Sequence, residues 1–238
     1  MAGHSKWNNI KRTKGKTDAA RAKVFTKIGR EIAVAVKLGG SDINANSRLR
    51  DAVAKAKAAN MPNDNISRGI KKAAGELGSI NYEAIAYEGY AVDGIAVIVE
   101  TLTDNKNRTA ADVRHAFDKF GAGLGATGCV SYMFDYKGVI LIEKDKLSED
   151  EVLEKVLDIG ASDFVAYDAE YEIQCEQQNY QQVYQGIEKL GYKIISAELA
   201  YISKSQVPLK DTVKFEKMLD AFDENDDVQN VWHNAAGE

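Results

Sequence analysis

The sequence predicts an α+β multi-domain protein: an N-terminal three-helix bundle plus two ferredoxin-like α/β units, the last inserted into the middle one. Three observations predict it. Apolar residues recur at helical spacing in three stretches between residues 17 and 78, separated by glycine and proline stops. Residues 136–205 read as strands and helices in the order β-α-β-β-α-β. A helix and a strand remain after Pro208; too small for a domain alone, they complete the β-β-α-β of residues 81–135. The expected domains are therefore residues 1–80, a basic arm with three helices; 81–135 with 206–238, a discontinuous α+β domain; and 136–205, the inserted unit, whose ends must lie close together.

Residues 1–16 have neither helical nor strand period, and Gly3, Asn8, Asn9 and Gly15 weaken regular structure, so a mobile arm is expected. The first helix starts at Thr17 as N-cap, with Asp18 in its first turn; Phe25, Ile28, Ile32 and Val36 form its apolar face and Gly39-Gly40 ends it. The second runs from Ser47 to Ala59 with Asn46 as cap and Leu49, Val53 and Ala56 inward, and stops at Asn60-Met61-Pro62. The third follows Asn63 or Asp64, turns Ile66, Ile70 and Ala73 or Ala74 inward, and closes at Gly75 and Gly78.

In the middle part, strands at Tyr82–Tyr90 and Gly94–Thr101 flank the turn Val92-Asp93-Gly94. Asp104 or Asn105 caps a helix with Ala110, Val113, Phe117 and Phe120 inward, and the glycine-rich loop Gly121–Gly128 leads to a strand at Cys129–Asp135. That loop lacks a Gly-Lys-Ser/Thr ending and runs from helix to strand, so it reads as a turn and not a phosphate cradle. In the inserted unit, strands are expected at Lys137–Glu143, Phe164–Asp168, Tyr171–Glu176 and Tyr192–Ile202, and helices from Ser148, its cap, to Asp158 and from Gln178 to Leu190. A helix from Asp211 to Phe222 and a strand from Val228 to Asn234 finish the chain. Asp223–Asp227 offers three calcium-loop positions, but Val228 stands where the loop needs glycine and no Glu closes it; a solvated acidic turn is expected.

Charge is the strongest functional signal. Residues 1–80 carry +11 and residues 81–238 carry −16, although the whole chain is only −5. The head is concentrated further, with ten Lys/Arg against two acids in residues 1–37. A cationic arm and helix opposite an anionic body point to a polyanionic partner, because each Lys or Arg meeting a phosphate releases a counterion. The candidate nucleic-acid-binding residues are Lys6, Trp7, Lys11, Arg12, Lys14, Lys16, Arg21, Lys23, Lys27 and Arg30, with Trp7 able to stack on an exposed base. Lys106 and Arg108 are a weaker second contact, ranked below a plain surface role.

Other function classes find less support. Cys129 and Cys175 read as buried small apolar residues, too few for a disulfide framework or a zinc site. Three histidines give no metal constellation, there is no nucleophile elbow or cofactor loop, and neither an enzyme, a cofactor nor a small-molecule substrate is expected. No apolar run reaches membrane-spanning length and no secretory signal follows the basic N-terminus, so a cytoplasmic protein is expected. The sequence leans to a monomer without deciding the oligomeric state.

Several motifs carry a resemblance. GHSKW at residues 3–7, KxFTKxxREI from Lys23 to Ile32, NxRLRxAVxKAKAANMPxDNI from Asn46 to Ile66, YEGY at 87–90 and TDNxNRT at 103–109 occur in order along the chain. Together they closely resemble the YebC family of bacterial probable transcriptional regulators, which has mitochondrial relatives that look like translational activators. Asn8 and Arg12 depart from the Ala and His of many relatives without removing charge. The resemblance implies the same three-domain layout and a regulator of gene expression. An anionic body is repelled by a long duplex but tolerated beside a confined RNA site, so the expected target is rRNA on the ribosome, with DNA and transcriptional regulation as the alternative.

Overall fold

The computed structural model describes residues 18–75, 81–145 and 147–236. They divide into two compact units, residues 134–202 and the remainder.

In the larger unit, helix α1 (Asp18–Gly39) turns Ile28, Ile32, Ala35 and Val36 inward at i, i+4, i+7 and i+8. Helices α2 (Ser47–Ala58) and α3 (Asn63–Gly75) close over that stripe with Leu49, Ala52, Val53, Ala56 and Ile66. The expected Thr17 cap and Gly78 stop lie outside the described residues.

One side chain joins the first two helices. Asn46 is buried; its Oδ1 accepts from Leu49 N at 3.0 Å, and its Nδ2 donates to the carbonyls of Ala35 and Gly40, both at 2.8 Å. It therefore caps α2 as the sequence predicts and also satisfies carbonyls at the end of α1. Gly39 is required here, because a Cβ would lie 2.7 Å from the Asn46 amide. The end of α2 is set by Asn60 before the proline acts: Asn60 has φ 57°, Asn60 N donates to Lys57 O, and Met61 N donates to Ala56 O, the paired bonds of a Schellman stop.

The same unit holds a four-stranded antiparallel sheet in the order β3-β1-β2-β8, made from β1 (Glu83–Ala91), β2 (Ala96–Thr103), β3 (Gly121–Leu124) and β8 (Val228–His233). Strands β1 and β2 form a hairpin whose turn holds Asp93 and Gly94 at φ 58° and 76°. Helices α4 (Lys106–Phe120) and α7 (Thr212–Glu224) share a core with the sheet through Val97, Val99, Val113, Phe117, Phe215 and Phe222. Inside α4 the buried residues are Thr109, Val113, Ala116 and Phe117; Ala110 and Phe120 are only partly covered.

The strand expected at Cys129–Asp135 is not there. The third strand is glycine-rich Gly121–Leu124, and residues 131–133 form a 3-10 turn before the next strand. Close packing explains the glycines: a Cβ on Gly121 would meet Tyr90 O at 2.6 Å, and one on Gly89 would meet the Phe117 ring at 2.7 Å.

In the smaller unit the elements are β4 (Phe134–Glu143), α5 (Glu149–Asp158), β5 (Asp163–Ala166), β6 (Glu170–Glu176), α6 (Tyr180–Lys189) and β7 (Ile194–Ser203). This is the β-α-β-β-α-β order of a ferredoxin-like unit, with strands arranged β5-β6-β4-β7. Ile140, Ile142, Tyr171 and Ile173 meet Val152, Val156, Val183 and Ile187 of the helices in its core. Ser148 takes the N-cap position of α5, but its hydroxyl makes no cap bond, so the acidic first turn of Glu149, Asp150 and Glu151 is what favours that end.

Candidate nucleic-acid interface

Helix α1 positions the described part of the basic head. Its buried stripe fixes its rotation, leaving Arg21 exposed and Lys23 and Lys27 half-buried off that stripe. Arm residues Lys6, Trp7, Lys11, Arg12, Lys14 and Lys16 lie outside the described residues. Lys55 on α2 reaches Glu31 of α1 at 2.6 Å, which neutralises one of the few acids near these cations.

Arg30, the last candidate, has a different setting. Its Nη1 donates to the Asp227 carboxylate and, at 3.0 Å, to the carbonyl of Leu102, and its guanidinium lies 5.5 Å from the centre of the Tyr82 ring. The side chain is only 16% exposed. A phosphate reaching Arg30 must compete with a carboxylate already in place. Lys37, at the end of the helix, donates to Asn81 Oδ1 at 2.8 Å. Together Arg30 and Lys37 tie α1 to the sheet side of this unit.

Asp227 was expected in a solvated acidic turn, and the structure overturns that. It is buried, and five donor atoms from four side chains converge on it: Arg30 Nη1, Arg108 Nη2 at 2.7 Å, Arg108 Nε at 3.3 Å, Thr109 Oγ1 at 2.7 Å and Thr103 Oγ1 at 3.1 Å. Burial by itself raises the carboxyl, but the hydrogen bonds from Thr109, Arg30 and Arg108 overcome it and hold Asp227 at about 2. The same bonds push the Arg108 guanidinium upward, with Asp104 at 2.9 Å as a second partner. In the motif TDNKNRT, therefore, Thr103, Arg108 and Thr109 serve Asp227, while Asn105 Oδ1 caps α4 by accepting from Arg108 N at 3.1 Å. Arg108 is thus engaged within the fold, and Lys106, two residues earlier, stands exposed.

Beside Asp227 lies an open cleft of about 740 Å³. Lys119 and Lys217 line it together with Asp112, Asp220 and Glu224, a mixture that favours no ligand of single charge. The cysteines differ: Cys175 is buried, as expected, but Cys129 is only partly covered. Among the described residues no group of three or more His, Cys, Asp or Glu could hold a metal ion, and no helix is long and apolar enough to cross a membrane.

Sequence reasoning missed Asp227 and the buried Glu88. An acidic residue beside β-branched Val228 and the acid within YEGY were the available signals, and neither reveals distant partners.

Comparison with known proteins covers nearly the whole chain. The family model described as TACO1/YebC protein N-terminal domain matches residues 5–76, and that described as TACO1/YebC second and third domain matches residues 82–235. The chain is 57% identical to a probable transcriptional regulatory protein of Acetivibrio thermocellus, with 100% of both chains covered. It is 54% identical to one from Clostridium acetobutylicum, covering 99% of this chain and 97% of that relative. Among solved structures it is similar to the crystal structure of a conserved hypothetical protein from Aquifex aeolicus, at 45% identity and a TM-score of 0.82, covering 93% of this chain and 92% of the other.

Proposed function

The chain belongs to the TACO1/YebC family, and from that premise we propose that it is a nucleic-acid-binding regulator of gene expression which grips phosphodiester backbones with its basic head. One observation carries the reading: +11 in residues 1–80 against −16 in the rest. Such a dipole presents the head first to an approaching polyanion. Arg21, Lys23 and Lys27 on α1 extend the charge of the arm, and Arg30 with Asp227 mounts that helix on the sheet. The name shared by the relatives, probable transcriptional regulatory protein, supports a regulatory role over an enzymatic one.

For the target we favour rRNA on the ribosome, with the protein acting as a translational activator in the cytoplasm. Cations gathered on an arm and one helix suit a phosphate backbone, whereas sequence reading of duplex DNA uses a recognition helix aimed at base edges. We propose the domain division to be residues 1–80, 81–135 with 206–238, and 136–205.

The test is crosslinking in cells followed by sequencing of the bound nucleic acid, with sucrose-gradient sedimentation alongside. Recovery of rRNA and cosedimentation with ribosomes are expected. Recovery of discrete promoter DNA with no ribosomal association would transfer the function to transcription.

A further inference from the structure

The glycine-rich loop has no part in the reading above, yet the fold commits a buried charge to it. Glu88 lies in β1 and is 5% exposed. Its Oε1 accepts from Gly128 N at 2.8 Å, and its Oε2 accepts from Val130 N at 2.9 Å and Ser131 N at 2.8 Å. Its own carbonyl accepts from Gly125 N at 2.8 Å. Burial raises the carboxyl, but the three amides outweigh burial and hold it below the usual carboxylate range. A carboxylate satisfied in this way over-determines the backbone from Gly125 to Ser131.

The part of the loop fixed most firmly contributes little to the core. Residues 125–128, Gly-Ala-Thr-Gly, are exposed, and Val130 is the buried anchor. Gly128 has φ 89°, and a Cβ on Gly125 would fall 2.3 Å from the Cys129 sulfur. The next side chain, Tyr132, is 64% exposed. Single exposed aromatics are ordinary, but this one is held at its backbone: it follows Ser131, whose amide donates to Glu88, and its own carbonyl accepts from Lys204 Nζ at 3.2 Å. The result is a fixed aromatic face beside a lip of small residues, with an ammonium at its base. Exposed rings of this kind stack on unpaired bases, and the small residues leave room for the sugar.

We propose that Tyr132 is a stacking platform for one unpaired nucleotide of a single-stranded nucleic acid, held in shape by Glu88 and flanked by Lys204 for the adjoining phosphate. This rests on the nucleic-acid reading above and adds a contact on the acidic body, remote in sequence from the basic head.

The test measures fluorescence anisotropy of the full-length protein with a labelled oligouridylate of about 12 nucleotides and with an RNA duplex of the same length. Tyr132→Ala should weaken oligouridylate binding by about 5- to 100-fold, the worth of one stacked base. Duplex binding, made by the head, should be unchanged, and Tyr132→Phe should bind the oligouridylate like the parent. Equal oligouridylate affinity for Tyr132→Ala and the parent overturns the platform and leaves the head intact. Equal losses for Ala and Phe assign the effect to the hydroxyl and overturn stacking. Loss of single strand and duplex together in Tyr132→Ala also overturns it. A parent protein that binds neither RNA refutes the nucleic-acid reading and the platform with it.

Discussion

Arg30 on α1 donates to the carboxylate of Asp227, 197 residues further along the chain, and Arg108 donates to the same carboxylate from the first turns of α4. The basic head is thereby fastened to the sheet through one of its own cations. An acid shared by two guanidiniums and two threonine hydroxyls has every lone pair used, which is the condition for a buried charge to be tolerated.

Replacing Asp227 with Asn should destabilise the protein by about 2–4 kcal/mol, since the mostly buried Arg30 loses its counter-charge while Arg108 remains half in water. Urea unfolding of the parent and Asp227→Asn checks this, and equal midpoints would remove the node from the account.

Asp227 also sets an acid dependence. Its carboxyl lies at about 2 in the fold against an ordinary 3.8. A depressed carboxylate contributes stability that is complete above the unfolded value and lost as pH falls through the folded one. The parent should lose about 2 kcal/mol between roughly pH 5 and pH 2 through this group. Glu88, also depressed, acts in the same direction. Thermal unfolding across that range should show a shallower decline for Asp227→Asn than for the parent.

Two glycines with opposite surroundings give a packing prediction. A Cβ on Gly89 meets the Phe117 ring at 2.7 Å and Gly123 O at 2.8 Å, whereas one on Gly29 of α1 meets nothing within 4 Å. Gly89→Ala should destabilise by about 1–3 kcal/mol by pushing β3 or Phe117 aside. Gly29→Ala should stabilise by about 0.5–1 kcal/mol through helix propensity and a less free unfolded chain. Melting temperatures moving in the same direction would contradict the pair.

The parts legible in the sequence are those with local causes. Asn46, read as a cap, and Asn105, one of the two caps offered for α4, each accept from the amide three residues on, so a window of a few residues reveals them; Asp211, read as the first residue of its helix, is its cap in the same way. The β-α-β-β-α-β order of the smaller unit follows from local periodicity in the same way. Strand β3 was hidden because Gly121-Ala122-Gly123-Leu124 has no strand propensity; tight approach to β1 and Phe117 selected it. Asp227 and Glu88 were hidden because their partners lie 40 to 197 residues away. Arg30, read as a phosphate contact from its neighbours in sequence, meets Asp227 for the same long-range reason.

The head's grip on phosphate is the central claim, and the dependence of RNA affinity on salt tests it most directly. With Lys11, Arg12, Lys14 and Lys16 replaced together by Ala, affinity for single-stranded RNA should collapse at physiological salt. The slope of log affinity against log salt should become shallower by about 3, four released counterions at roughly 0.7 each. The fold should persist, because among the described residues the core of the helical part is built from Val24 and Phe25 onward. An unchanged affinity and slope in a folded variant would contradict the account.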